Sequence, residues 1–271
     1  MHSFERVAQN IRDIKVQGAK QIAIYALEYL KSFAKKNGFG LKFEVAANIL
    51  ENARPTAVVL HNCLEIVRKE KTLSSINELI RYLESTSKKI ATYEGKIIKD
   101  NDKIMTHCHS GEAMSLIKAA WEKGKKLSLI ATMTDPIHQG VMTAKELAKE
   151  KIPVILIEDS AVDSFMKDVN MVIVGADAIR KEGVVNKIGT SLIAKSAYLN
   201  RKPFYVVANM LKLDKRRKFR IEQRPTGEVY HNLKGVKIKN PAFDITQWRF
   251  ITAVVTDKGV KTPNEILGML K

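Results

Sequence analysis

Through its first 98 residues the chain repeats apolar positions at three- and four-residue spacing, the period of amphipathic helices, and carries no strand pattern. Residues 3–36 read as helix interrupted at Gly18, and residues 42–53 as a second helix. A third, "RPTAVVLHNCLEIVRKE" (54–70), has Pro55 where a helix start tolerates a missing N–H. Residues 73–98 form one long amphipathic stretch opened by a serine pair. After "KDND" (99–102) the rhythm changes, and short apolar runs alternate with helical patterns. "KIMTHC" precedes a helix at 111–124, "LSLIATM" precedes "TAKELAKE", and "PVILIED" precedes "AVDSFMKD". "MVIVGADAI", read as a fourth strand ending with Asp177, precedes "TSLIAKSAYLN", and "PFYVVAN" follows. The segment 245–259 adds a strand before a last helix, "TPNEILGML". This alternation predicts an α/β fold, with a helical N-terminal domain (1–98) followed by a Rossmann-like, doubly wound parallel sheet (99–271). In such a sheet ligands bind beyond the carboxyl ends of the strands, so chemistry is expected where strand runs stop.

Composition narrows the class. With 45% hydrophobic and 28% charged residues among 271, the chain can bury a full core. Two cysteines cannot staple a fold of this size, which implies a reducing compartment, the cytoplasm, and gives any cysteine role to a free thiol. The polar stretch "MHSFERVAQNIRDIKVQG" lacks the apolar centre of a signal peptide, and no apolar run is long enough to span a bilayer. The net charge of +17 has two readings: a surface for a polyanion, or a solvated lysine-rich surface that gathers phosphorylated metabolites. The cations are scattered, with one dense run at 212–220, and no RNA-binding motif accompanies them. That favours the second reading, and no specific nucleic-acid partner is expected.

Four features that read as terminating successive strands carry candidate chemistry. Cys108 stops the first strand, with Ser110 or Gly111 at the N-cap of the next helix. A thiol there feels the positive end of the helix dipole, which favours thiolate and makes a base or nucleophile; the competing account is a buried cysteine acting as a small hydrophobe. A metal site on "HCH" is disfavoured, since strand neighbours point to opposite faces, and His107 and His109 flank or pack. In "VGADAI" the small Gly175 and Ala176 let another group approach, and Asp177 is either an acid/base or a helix cap. In "NKIGTS", Asn186 and Lys187 suit hydroxyls or phosphate, while Gly189 and Thr190 open a helix whose N–H groups suit an anion or a cap. "TDPIHQG" (134–140) reads as a ligand rim or an ordinary turn. The convergence of several such features on one rim favours a functional site.

The strings "THCHSGEAMSLIKAAWEKGK", "VGADAI", "NKIGTSLIA", "NPAFDIT" and "RPTAVVLHN" resemble the family that holds ribose-1,5-bisphosphate isomerase, methylthioribose-1-phosphate isomerase and the α, β and δ subunits of translation initiation factor 2B, with the archaeal ribose-1,5-bisphosphate isomerases nearest. The similarity runs from about Val16 to the C-terminus. It implies a helical domain, a Rossmann-like domain, and dimers or hexamers formed through the latter. It also implies an aldose–ketose isomerase of a phosphorylated pentose, needing neither metal nor cofactor, with Asp177 as acid and Cys108 as base. Gln17, Gly18, Arg54, Ser110, Gly111, Asn186, Lys187 and Lys212 match positions that hold substrate. The isomerases have arginine where this chain has Gln17 and Asp135. The family's regulatory subunits, which would partner a translation initiation factor, generally lack the cysteine that this chain keeps.

Overall fold

The structure is a computed structural model that describes residues 4–13, 15–16, 18–231 and 233–271. It divides into two compact units, Met1–Thr86 with Leu211–Asp214, and Ser87–Met210 with Lys215–Lys271. The division falls inside a helix, upstream of residues 99–102, where the sequence rhythm changes.

The first unit is helical: α1 (Phe4–Arg12), α2 (Ala19–Asn37), α3 (Leu41–Ala53), α4 (Val58–Glu70) and α5 (Leu73–Ala91) as far as Thr86. Ile22, Leu27 and Leu30 of α2, Phe43 and Leu50 of α3, and Leu60 and Leu64 of α4 are fully buried in one cluster, so the spacing of apolar residues correctly gives the inward faces. The first helix ends at Arg12, earlier than the expected break at Gly18; Gly18 is instead the N-cap of α2, and its φ of 84° lies in the region that glycine tolerates. Pro55 does not open α4, as the sequence suggested. It lies in a turn after Arg54, the C-cap of α3, and the turn is closed by the Ala57 N–H on the Arg54 carbonyl at 2.9 Å. Arg68 of α4 reaches Glu51 (2.7 Å), Glu44 (3.3 Å) and Glu65 (3.1 Å) and pins α3 to α4. Asn62 of α4 donates to the carbonyls of Leu211 and Leu213, each at 2.8 Å, which holds the 211–214 segment to this unit.

The second unit continues through α6 (Glu94–Ile97), β1 (Lys103–Thr106), α7 (Gly111–Glu122), β2 (Ser128–Thr132), α8 (Gln139–Lys149), β3 (Val154–Ile157) and α9 (Val162–Met166). It then runs through β4 (Met171–Val174), β5 (Ala178–Arg180), β6 (Gly183–Lys187), α10 (Thr190–Leu199), β7 (Phe204–Val207), β8 (Phe243–Thr246), β9 (Ala253–Thr256), β10 (Gly259–Lys261) and α11 (Pro263–Met269). Seven strands form a sheet in the order β10-β9-β7-β4-β1-β2-β3, parallel except for the antiparallel β10. All four residues of β4 and of β9 are buried, as strands covered on both faces require. Helix α7 packs through Met114, Leu116 and Ile117 with Ile104 of β1, Leu129 of β2 and Ile173 of β4 in one apolar cluster. The α/β class and the doubly wound parallel sheet are as expected from the alternation of runs.

Two features depart from the sequence reading. "MVIVGADAI" is not one strand: β4 stops at Val174 and β5 starts at Ala178, so Asp177 sits between strands of different sheets. The second sheet, antiparallel in the order β5-β6-β8, includes "GVVNK", which had no separate strand signal. The helix after "NKIG" begins at Thr190 as expected, and α11 opens with a capping box between Thr262 and Glu265. Among the described residues no helix is long and apolar enough to cross a membrane.

Candidate active site

Proceeding from one edge, β3, β2, β1, β4, β7 and β9 lie side by side, so the chain runs outward to one side from β1 and to the other from β4. Connections leaving the carboxyl ends of β1 and β4 therefore diverge, and the crevice they leave is the usual ligand position in doubly wound folds. Cys108 follows β1 and Asp177 follows β4. The two ends approach closely: a Cβ on Gly175 would stand 2.4 Å from Ser110 Oγ, so only glycine fits. Ser110 is the N-cap of α7 and accepts the Ala113 N–H at 3.3 Å, with Gly111 the first helical residue.

Cys108 itself is a non-glycine residue with φ 66°. Residues held in this region cost about 1–3 kcal/mol and persist where their surroundings fix them. Its N–H donates to Thr134 Oγ1 and its carbonyl accepts from Thr143 Oγ1, both at 2.8 Å, while Sγ donates to Gln139 Oε1 at 3.3 Å. The expectation of a thiolate favoured by the helix dipole is not met. The residue keeps some exposed surface, yet burial of the sulfur pushes the thiol from 9.0 up to about 11. Lys187 and the His109 N–H pull it down, and the carboxylates of Asp177 and Asp159 push it up. Cys108 precedes the N-cap by two residues, and desolvation outweighs the dipole.

His107 packs, one of the two roles its position in the sequence allowed. Its Nε2 lies 2.8 Å from the Ile188 carbonyl and its Nδ1 2.6 Å from Thr132 Oγ1. Burial holds its pKa below the ordinary range, so the ring is neutral. The carbonyl can only accept, which assigns the proton to Nε2 and makes Nδ1 the acceptor of the Thr132 hydroxyl.

Lys187, at the end of β6, is buried over the Phe243 ring at 5.6 Å, and Asn186 donates to Thr190 Oγ1 at 3.0 Å. The helix end at Gly189 is already occupied by a carboxylate. Asp244 of β8, opposite Asn186 in register, accepts the N–H of Gly189 (2.9 Å) and of Ser191 (3.1 Å). The cap reading of "NKIGTS" therefore holds for these N–H groups. Burial raises Asp244 to about 6, against the lowering pull of Ser191, Gly189 and Lys195.

The second unit thus brings together Cys108, Ser110, Gly111, Asp177, Asn186 and Lys187 on strand ends and the turns that leave them. The other candidates belong to the first unit: Gly18 and Arg54 at helix ends, and Lys212, buried in a short 3-10 turn (Met210–Lys212). Gln17 lies outside the described residues. Asp135 is half-buried, its Oδ1 lies 2.9 Å from His138 Nδ1, and its N–H goes to Asp159 Oδ2 at 2.7 Å. The sequence reading missed Gln139, Thr134, Thr143 and Asp244. "TDPIHQG" pointed to the right loop but not to the side chain that meets the sulfur, and Asp244 caps a helix that begins 54 positions upstream.

Comparison with known proteins gives these relations. The Initiation factor 2 subunit family matches residues 15–263. A protein of Archaeoglobus fulgidus named ribose 1,5-bisphosphate isomerase is 39% identical, over 97% of this chain and 91% of its own length. One of Thermosipho africanus named methylthioribose-1-phosphate isomerase is 36% identical, over 96% and 87%. A crystal structure described as the translation initiation factor eIF-2B of Pyrococcus horikoshii superposes with a TM-score of 0.86 at 26% identity, over 96% of this chain and 97% of that one.

Proposed function

The chain belongs to the Initiation factor 2 subunit family, and we propose that within it this protein is an aldose–ketose isomerase acting on a phosphorylated pentose of the ribose 1,5-bisphosphate type. The observation that carries the reading is the thiol–carboxyl pair at the switch point: Cys108 and Asp177 leave neighbouring parallel strands, and the two are close enough for charge on Asp177 to act on the thiol. Relatives named as phosphosugar isomerases, at 36–39% identity over nearly the whole chain, support it.

An aldose 1-phosphate is locked as a ring by its phosphate, so isomerisation needs an acid at the ring oxygen before C2 gives up its proton. Asp177 donates to the ring oxygen as the C1–O bond opens. Cys108 takes the C2 proton and returns it to C1 of the resulting enol, and the proton on O2 passes to Asp177 as the ketone forms. The proton count closes within these two groups. The reactive state has Asp177 neutral and Cys108 as thiolate. A protonated Asp177 no longer repels the thiolate, and the buried Lys187 offsets its charge, so the required state avoids part of the opposition that holds the thiol at about 11. Lys187 and Asn186 hold substrate oxygens, and the surface lysines raise the local concentration of the anion. Gly18, Arg54, Ser110, Gly111, Gln17 and Lys212 remain proposed substrate positions on the strength of the resemblance. Exposed Leu192, Tyr198 and Leu199 on α10 support assembly into a homo-oligomer.

The second reading is a non-catalytic regulatory subunit. Its specific support is the acidic Asp135–His138 pair where the isomerases carry arginine. Turnover assayed on ribose 1,5-bisphosphate and a panel of pentose and methylthiopentose 1-phosphates decides between them. The isomerase reading expects ketose product from the wild type and none from Cys108→Ser or Asp177→Asn at unchanged melting temperature. A wild type inert on the whole panel would overturn it.

A further inference from the structure

We infer that Thr134 and Thr143 are positioning residues, which hold Cys108 in its left-handed conformation through its own peptide groups and so fix where the thiol stands. The inference rests on the isomerase reading for its consequence in catalysis, though not for its geometry.

Cys108 belongs to neither β1 nor α7, and among the described residues its N–H and carbonyl enter no backbone–backbone hydrogen bond. Both groups go instead to threonine hydroxyls, at 2.8 Å each. Both threonines are buried, and they come from different places, Thr134 from the turn after β2 and Thr143 from α8. Side chains rarely satisfy both peptide groups of one residue, and at a φ of 66° the backbone has no preference of its own to keep it there.

Each hydroxyl is itself directed. Thr143 spends its proton on the Cys108 carbonyl, so the 3.0 Å contact with His109 Nδ1 requires the ring to donate. Thr134 accepts the Cys108 N–H and stands 3.3 Å from Thr132 Oγ1, whose proton goes to His107 Nδ1. His107 Nε2 then donates to the Ile188 carbonyl, in the turn that follows Asn186 and Lys187. The run Cys108 N–H, Thr134, Thr132, His107, Ile188 has one consistent donor direction and leaves no member unpaired. It ties the turn carrying the thiol to the turn that follows the amide and the lysine at the end of β6. Thr134 is anchored in turn, its N–H on Asp159 Oδ1 at 2.8 Å. A clamp on the peptide groups leaves Sγ bonded to Gln139 alone among the side chains of this loop, which suits a group that must exchange a proton.

The test compares Thr134→Val and Thr143→Val, which keep shape and lose the hydroxyl, with Thr143→Ser, which keeps it. Turnover, melting temperature and the rate of iodoacetamide addition to Cys108, read on its peptide by mass spectrometry, are measured well below melting. The clamp expects each valine variant to lose kcat by about 10²-fold with KM little changed, as an ångström of misplacement does. It also expects Cys108 alkylation to accelerate as the residue relaxes, and Thr143→Ser to recover both. Should the valine variants keep wild-type kcat and an unchanged alkylation rate, the inference is wrong. It is equally wrong if they lose activity only in proportion to lost folded protein, with serine no better than valine. If Thr143→Val does not fold, Thr134→Val decides alone, since it acts on the other peptide group. Altered alkylation in a protein that turns over no phosphosugar would keep the clamp and sink the isomerase reading.

Discussion

The sharpest prediction concerns the proton on Cys108. With the thiol at about 11 rather than 9.0, the thiolate fraction at pH 8 is about one in a thousand instead of about one in ten. Alkylation at pH 8 should therefore run about 100-fold slower than for an ordinary exposed thiol, before any loss of access, and should keep climbing through pH 10 without a plateau. The neighbouring charges add signs. Asp177→Asn removes a carboxylate that raises the thiol, so its break moves to lower pH; Lys187→Met removes the cation that lowers it, so its break moves higher. The assay is the pH dependence of iodoacetamide addition, quantified on the Cys108 peptide between pH 6 and about 11. Cys63, buried in the helical unit and pushed up to about 12, serves as the unreactive internal control. A wild-type break near or below 9, or both variants shifting the same way, would refute the electrostatic account. It would also return Cys108 to the helix-dipole picture.

Two further outcomes follow from the same geometry. Asp244 titrates at about 6 in the folded state against 3.8 unfolded, so the folded state holds the proton that the unfolded chain has already released between these values. The contribution of Asp244 to stability should accordingly fall as pH rises from about 4 to about 6, opposite in sign to that of the buried neutral His107, and Asp244→Asn should remove that falling part of the slope in urea titrations. If the variant keeps the wild-type slope, Asp244 is not its source. Gly175→Ala puts a methyl within 2.4 Å of Ser110 Oγ, which must move the α7 cap and the adjoining thiol turn. A cost of about 1–3 kcal/mol is expected by thermal or urea unfolding, with a larger relative loss of turnover. Unchanged stability and activity would mean the two strand ends are not in contact.

Sequence alone determined the helical first part, the alternation that makes a doubly wound sheet, and the strand end that Cys108 follows. These follow from periodicity, which is a local property of burial on one face of a helix or two faces of a strand. It also gave Gly175 a reason, close approach, without naming Ser110 as the neighbour. The strand read as ending at Asp177 stops at Val174, and the one that ends at Asn186 and Lys187 left no separate signal. The tertiary structure decided the rest, because the interactions that matter there are long-range. The dipole at α7 argues for a thiolate, but desolvation outweighs it, and the charges that tune the thiol stand 51, 69 and 79 positions away. The N–H groups at Gly189 looked open to a ligand only while Asp244 was unseen, since β8 joins β6 through a register no local pattern encodes. Thr134, Gln139 and Thr143 read as turn and helix residues until the sheet order set their loop beside β1. Local pattern says which side chains a strand end offers; only the packing of those ends on one another says which proton each one holds.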